Sequence, residues 1–165
     1  LRNYKRETGE NLYRRSMYTI WKRTAAPPSM LIFDSPNREI CSITRSRTNT
    51  PLQALALLNE VTYVEAARKL GERMLQEGGK NDYERINHGL LLARGRKGSD
   101  QEINLLLEGL KKDIKRFELS PDSAIQLLSV GDYKSVNTQL DPKTLAAYTV
   151  TANILLNLDE VVTRE

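Results

Sequence analysis

Arg45-Ser46-Arg47-Thr48-Asn49-Thr50-Pro51-Leu52-Gln53-Ala54-Leu55-Ala56-Leu57-Leu58-Asn59 passes from a polar, basic approach into an apolar run within a few residues. Thr50-Pro51 marks the change. Proline has a fixed φ and no N–H, which suits a first helical position, and a threonine hydroxyl just before it can accept from a free backbone N–H. Leu52, Leu55, Ala56 and Leu58 then cover one broad face, and the expectation is a buried helix against which the others pack.

Working outward, the same grammar recurs. Tyr63, Ala67, Leu70 and Met74 form a four, three, four stripe that Gly78-Gly79 closes. Asn81 or Asp82 caps the next helix, striped by Tyr83, Ile86, Leu90 and Ala93 and ended by Gly95. Ser99-Asp100-Gln101-Glu102 is a capping box, in which serine serves the N3 amide and glutamate reaches back to the N-cap. It opens a long helix with Ile103, Leu106, Leu107, Leu110, Ile114 and Phe117 inward. Ser120-Pro121 and Asp141-Pro142 repeat the start signal, the second leading into Leu145, Tyr148, Ala152 and Leu155.

Upstream, Tyr13, Met17, Ile20 and Trp21 fall at helical spacing over residues 11–23, with Arg14, Arg15, Lys22 and Arg23 between them. An amphipathic helix is expected there. Aromatics among arginines could also grip single-stranded nucleic acid, a reading given less weight than a core-facing helix. Met30-Leu31-Ile32-Phe33 and Glu39-Ile40-Cys41-Ser42-Ile43-Thr44 read as extended runs around the turn Asp34-Ser35-Pro36-Asn37. The expected fold is therefore all-α: a single irregular bundle of six or seven helices over 1–165, a flexible lead-in at 1–10, and an extended segment near 30–45 with room for one hairpin.

Composition agrees with that class. The 165 residues are 39% hydrophobic and 28% charged, and 6% aromatics is thin for a sandwich or barrel. No apolar run approaches the ~20 residues that cross a bilayer. The first residue is Leu1 rather than methionine, so a fragment or processed product of a larger protein is expected. The net charge of +4 is uneven: residues 1–50 hold ten Lys/Arg against four Asp/Glu. Such a skew suits an anionic partner or an acidic neighbouring surface.

Reactive constellations do not stand out. Cys41 is the single cysteine, read as a semi-buried small hydrophobe beside Ile40 and Ile43. His88 is the single histidine and has no second ligand at a metal spacing, so it reads as a surface or hydrogen-bonded residue. Gly95-Arg96-Lys97-Gly98 is a basic turn and not a phosphate loop.

The block from Arg45 to Asn59 resembles a known family. With it go Arg14-Arg15-Ser16-Met17-Tyr18-Thr19 and Trp21-Lys22-Arg23, Pro27-Pro28-Ser29-Met30 with Phe33-Asp34, Val64-Glu65-Ala66-Ala67-Arg68, Ala93-Arg94-Gly95-Arg96, and Asn153 with Leu155-Leu156-Asn157-Leu158-Asp159-Glu160. Together these look like the planctomycete-specific domain of unknown function, family 1553, which follows cytochrome c-like domains in large secreted proteins. The resemblance implies export to the periplasm or cell envelope, and haem c on a separate upstream domain with no cofactor in this chain. It carries no catalytic residue and no metal ligand.

Two functions follow as expectations. In the first, the chain is a noncatalytic accessory or interaction domain whose partners are other domains of the same polypeptide, and its polar block fixes loop to helix. In the second, Arg45, Arg47, Asn49, Thr50 and Gln53, with Asp34 and Trp21, line a carbohydrate or anion site, for polysaccharide or sulfated sugar, completed by upstream domains.

Overall fold

A computed structural model describes residues 4–5, 7–22, 25–36, 39, 41–44, 46–133 and 139–163. The chain is all-α, as expected. Among the described residues it has eight α-helices: α1 (Pro28–Ile32), α2 (Pro51–Asn59), α3 (Val61–Glu77), α4 (Asp82–Arg94), α5 (Asp100–Leu119), α6 (Pro121–Leu128), α7 (Pro142–Leu156) and α8 (Asp159–Val162). They fall into two compact units, Leu1–Ala56 and Leu57–Glu165.

In Leu1–Ala56 the expected helix at 11–23 does not form. Two 3-10 turns, Gly9–Tyr13 and Ser16–Tyr18, stand in its place, and Met17, Tyr18 and Ile20 are exposed. The spacing was helical, but β-branched and aromatic residues are weak helix formers, and neither turn has a side-chain cap. Arg23 lies outside the described residues. Tyr4, in the expected lead-in, donates its hydroxyl to the Ala25 carbonyl and accepts the Lys22 N–H at 3.0 Å. Lys22 and Ala25 form an isolated bridge.

The run at Met30-Phe33 is not extended either. Pro28 opens α1, which closes in a Schellman arrangement: Ser35 N–H reaches the Met30 carbonyl at 2.9 Å and Asp34 N–H the Leu31 carbonyl at 3.3 Å. Asp34 holds the left-handed position there, with φ 57°. Among the described residues no strand follows, and Asn37, Arg38, Ile40 and Arg45 lie outside them. Cys41 and Ile43 are exposed, so this alternating run has no buried face among its described residues and Cys41 is not the semi-buried hydrophobe expected.

In Leu57–Glu165 the helices surround α7, which touches α3, α4, α5, α6 and α8. Leu145, Ala146, Ala147, Tyr148, Thr149, Thr151, Ala152 and Leu155 are all buried, so α7 is covered nearly all round. Thr149 and Thr151 satisfy their hydroxyls on the Leu145 and Ala147 carbonyls, one turn back. At the crossing with α3, a Cβ on Gly71 would stand 3.1 Å from the Tyr148 carbonyl carbon, so glycine sets the helix spacing. The central helix is therefore α7 and not α2. On α2, Gln53 and Leu57 are buried while Leu52, Leu55 and Leu58 are exposed. Small residues allow close approach, and α7 rather than the leucine-rich α2 supplies them.

Among the described residues no helix is long and apolar enough to cross a membrane.

Candidate functional site

The polar groups of the quoted blocks gather at three places. The first joins the end of α1 to the start of α2. Thr50 and Gln53 form a reciprocal capping box: Gln53 N–H donates to the Thr50 hydroxyl at 3.3 Å, and Thr50 N–H to Gln53 Oε1 at 3.0 Å. Gln53 Nε2 then donates to the Ile32 carbonyl (2.8 Å), Thr48 Oγ1 (3.1 Å) and Asp34 Oδ2 (3.3 Å). Thr48 gives its N–H to Asp34 Oδ2 at 2.8 Å and its hydroxyl to the same carboxylate. These bonds, the Thr48 N–H first, hold the Asp34 carboxyl below its ordinary range.

Asp34, Thr50 and Gln53 of the expected site thus come together, joined by Thr48. Trp21 is half-buried and takes no part in the bonds just described. Arg47 and Asn49 are exposed on the approach to α2, and Arg45 lies outside the described residues.

The second place is on α3. Arg68 is buried, and its guanidinium donates to three carbonyls of the chain leaving α6: Leu128, Val130 (3.0 Å) and Tyr133 (2.6 Å). Glu65, equally buried, accepts the Tyr133 N–H at 2.9 Å. Gly131 passes against Glu65 with φ 97°, and a Cβ there would stand 1.9 Å from Glu65 Oε1. The block 64–68 therefore clamps the exit of α6. The stripe carried no such signal, since Glu65 and Arg68 stand about 160° and 100° around the helix from Ala67, away from the Tyr63, Ala67, Leu70 and Met74 positions.

The third place is where α4, α5 and α8 end or begin. Arg94 closes α4, and its side chain is only 2% exposed. It meets Glu102 with two parallel bonds, Nη1 to Oε1 at 2.8 Å and Nη2 to Oε2 at 2.9 Å. Glu102 simultaneously completes the expected capping box, accepting Ser99 N–H at 2.8 Å. Glu160, in the first turn of α8, takes Arg96 Nε at 3.0 Å and lies 3.4 Å from Arg94 Nη1. Gly95, left-handed at φ 77°, turns the chain between the two arginines. The Arg94 guanidinium drives the Glu102 carboxyl far below its usual range, and Arg96 lowers that of Glu160. Each charge also sits at the helix end that favours its sign.

His88 Nε2 lies 3.5 Å from Glu77 Oε2, which also holds Arg73 at 3.0 Å. Among the described residues no three His, Cys, Asp or Glu side chains form a metal-binding group. What these arrangements do chemically is fix helix ends and loops by charge-assisted bonds.

The molecule is thus an all-α protein whose helix termini are pinned by internal polar networks. It belongs to the family described as PSD1, protein of unknown function (DUF1553), which matches residues 1–110. The match takes in the first polar place, Glu65 and Arg68 of the second, and Arg94, Arg96 and Glu102 of the third, while the Leu128, Val130 and Tyr133 partners and Glu160 lie beyond it. No curated protein and no solved structure matches the chain.

Proposed function

We propose that this chain is a noncatalytic accessory or interaction domain of an exported, cell-envelope multidomain protein. Its partners are other domains of the same polypeptide, and any haem c resides on a separate upstream domain. One observation carries the reading. The polar side chains of the family-like blocks that would be natural ligand contacts, Asp34, Gln53, Glu65, Arg68 and Arg94, end on backbone and side-chain groups of the chain itself. A side chain spent on internal bonds must give them up before it can serve a ligand, at the cost of a buried unsatisfied group.

The test is a thermal-shift panel of acidic oligosaccharides and sulfated sugars, run on the wild type and on Arg47→Ala and Asn49→Ala. No ligand is expected to raise the melting temperature through these two exposed residues. A rise that either substitution removes contradicts the reading and favours the composite carbohydrate or anion site.

A further inference from the structure

Arg96 and Glu160 form an ion pair in which neither member is enclosed: their side chains are 52% and 49% exposed. Arg96 donates Nε to one oxygen of the carboxylate at 3.0 Å and Nη2 to the other, so the guanidinium grips it with two donors. That is also how an arginine holds a carboxylate arriving from outside the chain. Arg94 adds a 3.4 Å contact from Nη1, its shorter bonds going to Glu102.

The element that delivers Glu160 is slight. Helix α8 is four residues long, no side chain caps its start, and none of its residues is buried. It touches α4 and α7. Exposed ion pairs contribute little to stability and weaken with salt. A one-turn element without buried side chains opens locally well before the molecule unfolds. Parting Arg96 from Glu160 strands no enclosed group, because Arg94 keeps Glu102. Charge then favours a replacement: with α8 in place two guanidinium groups face two carboxylates, and with α8 away they face one.

We infer that α8 is a displaceable strap, in which Glu160 occupies from within the chain a site on Arg96 that takes a glutamate or aspartate carboxylate presented by another protein domain. The inference rests on the interaction-domain reading and names the group that the partner must present. Tethering sets the terms of the exchange, since a carboxylate held nearby by its own chain acts at an effective concentration of about millimolar. A lone carboxylate loses to it, and one carried on a segment with further contacts displaces it.

The experiment uses the whole chain and a fluorescent peptide copying residues 157–163, with galacturonate as an acidic-sugar competitor. The peptide binds Glu160→Ala at least about tenfold more tightly than the wild type, because the internal occupant is gone. Its affinity falls as salt is raised, and falls at least about tenfold in Glu160→Ala/Arg96→Gln. Amide exchange at Val161 and Val162, whose N–H groups bond the Leu158 carbonyl, is at least about tenfold faster in Glu160→Ala while that of α4 and α5 is unchanged. Circular dichroism of both variants checks that the fold is kept. Equal peptide affinity for the wild type and Glu160→Ala, no binding to either, or binding that survives Arg96→Gln overturns the inference. Galacturonate that displaces the peptide at equal concentration overturns the choice of a protein carboxylate. These failures leave the interaction-domain reading standing, whereas a melting rise that acts through Arg47 or Asn49 contradicts that reading without involving Arg96.

Discussion

Arg94 and Glu102 meet through two parallel hydrogen bonds of 2.8 and 2.9 Å, with the guanidinium enclosed and the carboxylate partly open to water. The asymmetry has an energetic consequence. Arg94→Met leaves a carboxylate that water can reach and that Ser99 still engages, so it should cost about 1–2 kcal/mol. Glu102→Ala strands an enclosed guanidinium on two longer contacts of 3.4 Å, to Glu160 and the Lys97 carbonyl, and also weakens the cap of α5. Urea denaturation should therefore rank Glu102→Ala below Arg94→Met in stability. The reverse order would show that the pair is not arranged as described.

Acid should loosen the molecule in a defined direction. Arg94 lowers the carboxyl pKa of Glu102, Arg96 that of Glu160, and the Thr144 hydroxyl that of Asp141. Folded values below the unfolded ones, about 3.9 to 4.3, mean that the unfolded chain takes up protons first as pH falls. The stability these groups contribute is complete above that range and is lost on descending through the folded values. Melting temperatures should be level from about pH 7 to 5 and fall below about 4.5. Glu102→Gln should start lower at neutral pH and fall less steeply. At the alkaline end burial and the Asp82 carboxylate hold the Tyr148 phenol above its ordinary range, so stability should decline as pH rises past about 10, less so in Tyr148→Phe.

Two glycines should respond oppositely to a methyl group. A Cβ on Gly109, inside α5, meets nothing within 4 Å, so Gly109→Ala should stabilise by about 0.5–1 kcal/mol through helix propensity. Gly131 combines a left-handed φ with Glu65 Oε1 at 1.9 Å from the added carbon. Gly131→Ala should cost about 2 kcal/mol or more, because the turn is strained and Glu65 must leave the Tyr133 N–H. Thermal melts of both variants check the pair, and equal shifts would contradict it.

Gln53→Ala removes half of the capping box and the bond that carries α2 to the Ile32 carbonyl. The expected loss is about 1–3 kcal/mol, felt locally. Amide exchange in the first turn of α2 should speed up in this variant while that of α7 is unchanged. Unchanged protection in α2 would mean that the box does not hold it.

Much of this architecture was legible in the chain. Pro51, Pro121 and Pro142 start helices where expected, Ser99 and Glu102 form the expected box, and Gly95 ends α4. The leucine content of α2 points to a buried centre there, yet Leu52, Leu55 and Leu58 are exposed. In α7, alanines and threonines go unnoticed beside a stripe of larger residues, yet they are what a helix touched on several sides requires. At residues 11–23 the helical spacing of apolar residues met poor helix formers, and propensity prevailed. For the candidate site, Thr50 reads as a cap, and Gln53 three residues on completes the box within the same short stretch. The pairing of Arg94 with Glu102 and Glu160 brings together separate stretches of the chain, which no local pattern announces.

The central claim is that the charged residues of the family blocks hold this fold together. The most direct measurement is the urea midpoint of Arg68→Lys, because Arg68 is buried and its forked donors span the Leu128, Val130 and Tyr133 carbonyls. An ammonium keeps the charge but cannot span three acceptors. The account predicts a midpoint lowered by the equivalent of about 2–3 kcal/mol with an unchanged slope. A midpoint equal to that of the wild type would contradict it.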